Sequence, residues 1–431
     1  MSLLTITSNA QIAFEQYISF SHQQRATFLE AIASNIESLG DELIETASQE
    51  TNLPAARLQG ERGRTCYQLR MYATMLLKGD YVDATIESAV PTKTPPKPDI
   101  RSMFQPMGPV VVFGASNFPF AYSTAGGDTA SALAVGCSVI VKAHPAHIKT
   151  SSLVATAIQK AIVDCAMPTH VFQHVSAAEL LMNEIDLGKA LVQDEAITAV
   201  GFTGSRVGGR ALLDYATARK NPIPVFAEMG SVNPVILLED IIATQAEAIA
   251  TQYAGSITLG VGQFCTNPGL LILLKSDEGF LDLLASRLNT MPLGTFLTKG
   301  IKDAYANGTK SLANHTGVQQ LTSADLPSPA LFKISAKEAM NHPEVLEEVF
   351  GPSTLAVVAN NMEEMIAFIE SIPGQLTATV QGELSELKKS GDLIEALTQK
   401  VGRILLNGFP TGVEVSASSP MTVETICITC E

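Results

Sequence analysis

Pro109-Val110-Val111-Val112-Phe113-Gly114-Ala115-Ser116-Asn117-Phe118-Pro119-Phe120 is the stretch on which the fold turns. Its first half is a short β-branched run, and its second half is a turn containing a glycine, an asparagine and a proline. A run that is apolar at every position reads as a strand buried on both faces, and such strands belong to parallel sheets covered by helices. Three more runs, at 137–143, 169–175 and 196–202, have the same character and are separated by helical patterns. Buried strands alternating with helices predict an α/β fold with a doubly wound parallel sheet.

Ligands of such sheets bind at the carboxyl ends of the strands, where loops lead into helices. Asn117 follows the first run, Lys142 ends the second, and Thr203-Gly204-Ser205-Arg206-Val207-Gly208-Gly209 follows the fourth, so all three are expected on one edge. A second α/β segment follows, with strand candidates at 234–238, 270–275, 354–359, 377–381 and 403–406 and helices at 243–254 and 363–371. Residues 9–79 are helical in pattern, with apolar residues three and four apart at 27–36 and 69–77. Residues 90–98 form a proline-rich connector that does not suit a helix interior, and 99–106 read as an extended arm.

Composition bounds the function. The 431 residues are 46% hydrophobic and 16% charged, enough for more than one well-buried core. Lys+Arg number 28 against 43 Asp+Glu, a net charge of −15, and this field repels nucleic acid and anionic membrane. Neither a membrane-spanning apolar stretch nor a leader pattern is evident, so a cytoplasmic address is expected. The six cysteines show no disulfide-framework spacing, and Cys66, Cys137 and Cys165 read as packed small residues. Cys427-Ile428-Thr429-Cys430 has CxxC spacing but no second pair.

Three segments carry chemistry. Gly262-Gln263-Phe264-Cys265-Thr266-Asn267-Pro268-Gly269 places one cysteine in a glycine-bracketed turn, as a nucleophile needing room for a substrate requires. Glu228 ends the apolar run 224–227, where a carboxylate loses hydration and suits a general base. Asn117 offers an amide donor for an oxyanion. Taken singly, these residues read equally as a buried thiol, a structural carboxylate and a turn asparagine; together they describe covalent acyl transfer. The turn with Gly204, Ser205 and Gly209 can hold a phosphate on helix N–H groups, although it is neither a GxGxxG fingerprint nor a P-loop. No metal is expected from the histidines: His144 and His147 are broken by Pro145, and His170 and His174 fall on a predicted strand. The absence of a GxSxG elbow argues against serine hydrolysis.

Read in order, Asn117-Phe118-Pro119, Val141-Lys142, Phe202-Thr203-Gly204-Ser205, Glu228-Met229-Gly230, Gly262-Gln263-Phe264-Cys265, Glu348-Val349-Phe350-Gly351-Pro352 and Asn407-Gly408 resemble the aldehyde dehydrogenase superfamily. The segments around Asn117, Lys142 and 407–415 are most similar to its 2-oxoglutarate-semialdehyde (2,5-dioxopentanoate) and NADP-linked branch. The resemblance implies two doubly wound α/β domains, a Rossmann-like cofactor domain at 1–92 and 109–230 and a catalytic domain at 231–409, with 93–108 as an oligomerisation arm. It implies Cys265 as nucleophile, Glu228 as base and Asn117 as oxyanion donor. Lys142, His144, Gly204, Ser205, Gly209, Glu348 and Phe350 would hold the cofactor, and Phe118, Arg64 and Arg70 would meet a small-molecule aldehyde. Pro145 stands where NAD-using members carry an acidic residue, so NADP is expected, with NAD the alternative. A homodimer is implied by the family. The residues after Val415 depart from its usual continuation, so 410–431 read as a divergent, truncated tail. An aldehyde dehydrogenase for aliphatic aldehydes and a catalytically impaired nucleotide-binding remnant stay open as alternatives.

Overall fold

The computed structural model describes residues 2–323, 328–412 and 415, and the chain divides into two units at Glu228 and Met229. The Cys427–Cys430 spacing and the tail beyond 415 lie outside the described residues.

The first unit opens with four helices, α1 (Leu3–Tyr17), α2 (His22–Ser38), α3 (Gly40–Thr51) and α4 (Ala55–Lys78). Ser21 and Gln24 form a reciprocal cap at the start of α2, and Gly79 in the left-handed region ends α4. An exposed two-stranded antiparallel ribbon follows, β1 (Thr85–Glu87) with β2 (Ile100–Ser102). The sheet then forms from β3 (Val110–Phe113), β4 (Val139–Lys142), β5 (Phe172–Val175), β6 (Ala199–Thr203) and β7 (Val225–Glu228). All pairings are parallel and the order is β5-β4-β3-β6-β7, so the chain reverses direction between β3 and β6. Ligands of such sheets bind at that reversal. Its helices are α5 (Gly127–Val135), α6 (Ile148–Asp164), α7 (Glu184–Gln193) and α8 (Arg206–Thr217). His170 lies in the turn before β5 and not on the strand, whose pairing begins at Phe172.

The second unit has a seven-stranded sheet of order β10-β11-β12-β9-β8-β13-β14. Its strands are β8 (Pro234–Leu237), β9 (Leu270–Leu274), β10 (Gln319–Gln320), β11 (Ala330–Ser335), β12 (Ser353–Ala359), β13 (Gln375–Gln381) and β14 (Val401–Leu406). Only β10 runs antiparallel to its neighbour. Strands β8, β9, β12 and β13 are buried at every position, with one core cluster around Ile236, Ile272, Phe332 and Phe368 and another around Val235, Leu271, Tyr253 and Leu284. Each such aliphatic or aromatic side chain contributes roughly 1.5–3 kcal/mol through burial. The helices are α9 (Glu239–Thr258), α10 (Phe280–Thr290), α11 (Lys299–Asn314), α12 (Ala336–Asn341), α13 (Met362–Ser371), α14 (Leu384–Leu387) and α15 (Gly391–Thr398). Among the described residues no helix is long and apolar enough to cross a membrane.

Candidate active site

The first unit gathers its expected residues along the carboxyl edge of its sheet. Asn117 is buried in the loop after β3. That loop is fastened three times: Ala115 N–H donates to the Tyr122 carbonyl (2.8 Å), His147 Nε2 donates to the Ala115 carbonyl (2.9 Å), and Glu61 accepts from two backbone groups. Glu61 comes from α4, where Oε1 takes the N–H of Phe120 (2.8 Å) and of Ala121 (3.0 Å). Burial pushes its carboxyl up against the opposing pull of those two N–H groups. Two arginines one turn away on either side complete the face. Arg57 donates to the Asn117 carbonyl (2.7 Å) and lies over the Phe118 ring (5.0 Å), while Arg64 donates to the Tyr122 hydroxyl (2.9 Å) and lies over that ring (5.0 Å). Phe118 and Tyr122 meet edge to face at 5.2 Å. Arg70 stands apart: it grips Glu37 with two bonds (2.6 and 2.7 Å) and reaches Glu30 (3.2 Å) on the outer surface of α2 and α4.

Lys142 ends β4 almost fully buried, and its ammonium is paired with Glu184 at the first position of α7. His144 accepts from the Ala146 N–H (3.1 Å), and burial, with His147 and Lys142 beside it, pushes its imidazole down to about 3. It is neutral at physiological pH and adds no positive charge beside Lys142, so any attraction for a 2′-phosphate there rests on the lysine. Gly204 and Ser205 lead into α8; Ser205 Oγ caps the Gly208 N–H (3.2 Å), Gly209 N–H donates to the Ser205 carbonyl (2.9 Å), and the first turn carries no acidic residue. A Cβ at Gly204 would stand 2.6 Å from the Phe202 ring, so any larger residue would have to push that ring aside. This helix start suits a phosphate. Glu228 is the last residue of β7, paired in register with Thr203, and its carbonyl accepts from the Gly204 N–H (3.0 Å).

The second unit holds the cysteine. Cys265 is half-buried in the turn between α9 and β9. Asn233, wholly buried, braces this turn: its Nδ2 donates to the carbonyls of Cys265 (2.8 Å) and Asn267 (2.9 Å), while its Oδ1 accepts from the N–H and Oγ1 of Thr377 (3.3 and 3.1 Å). Asn267 Nδ2 donates to the Gly351 carbonyl (3.1 Å), tying the turn to the segment carrying Glu348 and Phe350. Gly262 packs there at φ +64°, where a Cβ would sit 2.3 Å from the Gly351 carbonyl carbon. Glu348 accepts from the Ser231 N–H (3.4 Å), and its Oε2 lies 2.0 Å from where a Gly230 Cβ would stand. Protein atoms crowding this carboxyl push it up to about 7. Glu348, Phe350, Asn267 and Ser231 line one pocket.

Sequence reading did not single out Glu61, Arg57, Glu184, Asp128 or Asn233 for the site. Each is one polar residue whose partner is remote in the chain.

A parallel sheet whose carboxyl edge carries a helix start suited to phosphate is the class of α/β architecture that binds nucleotide coenzymes. The chain belongs to the aldehyde dehydrogenase family, whose profile matches residues 3–419, and it is thereby an oxidoreductase of aldehydes. It is 47% identical over 415 residues to alpha-ketoglutaric semialdehyde dehydrogenase 2 of Azospirillum brasilense, covering 94% of this chain and 78% of that one. It is 42% identical over 420 residues to alpha-ketoglutaric semialdehyde dehydrogenase of Acinetobacter baylyi, with the same coverage. Among solved structures it resembles PnpE in complex with nicotinamide adenine dinucleotide (TM-score 0.76, 20% identity, 95% of this chain and 82% of that one). It also resembles succinic semialdehyde dehydrogenase of Streptococcus pyogenes with NADP+ (TM-score 0.75, 17% identity, 95% and 87%).

Proposed function

We propose that this protein oxidises 2-oxoglutarate semialdehyde to 2-oxoglutarate with NADP or NAD. The observation carrying this reading is 47% identity, across 94% of the chain, to a protein named for that substrate. The thiolate of Cys265 attacks the aldehyde carbon, forming a C–S bond, and the oxyanion accepts hydrogen bonds from the Asn117 amide and the Cys265 backbone N–H. A nicotinamide coenzyme, when bound, would supply the two-electron oxidant that converts the thiohemiacetal on Cys265 to a thioester. Glu228 then takes a proton from water, whose oxygen attacks the carbonyl and releases the acid and the Cys265 thiolate.

The donor set fits such a coenzyme. Gly204, Ser205 and Gly209 at the start of α8 would hold its pyrophosphate, and Lys142, with His144 beside it, would meet the adenosine ribose. Glu348 would bind the nicotinamide ribose, with Phe350 beside the ring. The far carboxylate of the substrate is read onto Arg64 and Arg57, half-buried cations of α4 that reach the Asn117 loop, with Phe118 lining the approach. Ile86 and Phe104, exposed on and beside the two-stranded ribbon, support a homodimer. The enzyme is read as cytoplasmic.

An aldehyde panel that includes 2-oxoglutarate semialdehyde, run with NADP and NAD in parallel, tests this. Reduced coenzyme should form fastest with the acid semialdehyde and vanish in Cys265→Ser. Faster turnover of long aliphatic aldehydes would replace the substrate; tight coenzyme binding without any turnover would identify a nucleotide-binding remnant.

A further inference from the structure

His315, His342 and Glu344 converge on the surface of the second unit. His315 caps the C-terminal end of α11, His342 caps that of α12, and Glu344 lies in the 3-10 turn Pro343–Leu346. One potential ligand atom from each lies within 4.8 Å of the others. Glu344 Oε1 is 3.2 Å from His342 Nδ1 and 3.6 Å from His315 Nε2, and the two rings meet edge to face at 4.9 Å.

We propose that His315, His342 and Glu344 form a binding site for a divalent transition metal of the zinc type. Two imidazoles and a carboxylate are the protein ligands of open tetrahedral zinc sites, which leave the fourth position to water. Metal–ligand bonds of about 2.0–2.1 Å put tetrahedral ligand atoms roughly 3.3 Å apart, so both distances to Glu344 are already close to the required edge. Only the gap between the imidazoles must narrow. A second carboxylate stands behind the first ligand set. Glu338 Oε2 lies 3.9 Å from His342 Nε2, the nitrogen that Nδ1 ligation leaves with its proton, and such a partner orients the ring and strengthens it as a ligand. Ligation gives up the 3.2 Å bond between His342 Nδ1 and Glu344 Oε1 and the 3.4 Å contact from Gly317 N–H to His315 Nδ1.

The residues are nitrogen-rich, which favours zinc, nickel or copper over calcium and magnesium. The ion would join the end of α11 to the segment leading to Glu348, since Leu312 of α11 and Val345 and Leu346 of the turn itself line the Glu348 pocket. Sequence spacing concealed the set, because His315 and His342 come from different helix ends and no short motif contains both.

The test is calorimetric titration of zinc into the full chain carrying Cys265→Ser, so that a catalytic thiolate does not take the ion. One equivalent should bind with micromolar affinity, weaken by more than about tenfold in His342→Ala or His315→Gln, and be untouched by calcium. Zinc should also raise the thermal midpoint of the parent and of neither variant. No binding, or binding unchanged by both substitutions, overturns the proposal. Circular dichroism separates lost ligation from lost folding, and the Glu228 and Cys265 roles play no part in the readout.

Discussion

Asp128 and Glu228 face one another across the same side of the five-stranded sheet. Gly201 and Thr203 point to one face of β6, Thr203 is in register with Glu228, and the Asp128 carboxyl carbon of α5 lies 3.0 Å from where a Gly201 Cβ would stand. Glycine at 201 is what lets a carboxyl approach the strand this closely. Two acids so placed resist sharing two negative charges.

Lost hydration, and then Glu228, push Asp128 up to about 7 from an ordinary 3.8. The folded value exceeds the unfolded one, so the folded protein keeps a proton that the unfolded chain has released. Stability therefore falls as pH rises from about 4 to 7, and the penalty persists above. Burial, and then Asp128, hold the proton of neighbouring Tyr72 more tightly. Asp128→Asn should be more stable than the parent near pH 8 by roughly 2 kcal/mol, allowing for the solvent that still reaches the residue, and equal to it near pH 4. Thermal melts at the two pH values decide it; the same difference at both would refute the linkage.

Asn233→Ala should cost about 2–4 kcal/mol, because several buried carbonyl and N–H groups lose their partner at once. Its positive φ of 44° adds strain that asparagine tolerates and alanine resists. In variants still folded, kcat should fall more than KM rises, since the cysteine turn loses its brace. Denaturant titration and steady-state kinetics measure both. An unaffected kcat would show that the turn holds itself.

Glu61→Gln keeps a carbonyl oxygen for the N–H groups of Phe120 and Ala121, and Glu61→Ala does not. Alanine should lower stability by about 2 kcal/mol or more and slow turnover through Asn117, and glutamine should recover most of both. Equal damage from the two substitutions would place the requirement in the negative charge instead.

The Lys142–Glu184 pair bears on coenzyme choice. Removing the carboxylate in Glu184→Gln frees the ammonium for a phosphate and removes a repelling charge, so binding of 2′,5′-ADP should tighten by about tenfold while binding of 5′-AMP changes little. Calorimetry with the two fragments requires no turnover. A parallel gain for both would mean that Glu184 acts on shape and not on charge.

Strands β3, β4, β8, β9 and β12 were legible because a valine-, isoleucine- or leucine-rich run suits little else. Ala330–Ser335 was not anticipated as a strand: Lys333 interrupts its apolar run, and its pairing with β12 is settled by tertiary contact. The same limit applies to the site. Cys265, Glu228 and Asn117 sit in distinctive local segments, whereas the bonds by which Glu61 and Asn233 brace their loops reach residues 59 and 32 or more positions away. A periodicity carries no record of such pairs.

Glu61 holds the Asn117 loop by its main chain, reading amide groups that every residue except proline possesses. These two bonds do not depend on which side chains stand at 120 and 121. What an exchange at 120 or 121 costs is therefore set by the packing of a buried side chain, while the two bonds that hold the loop survive any replacement that keeps its amide N–H.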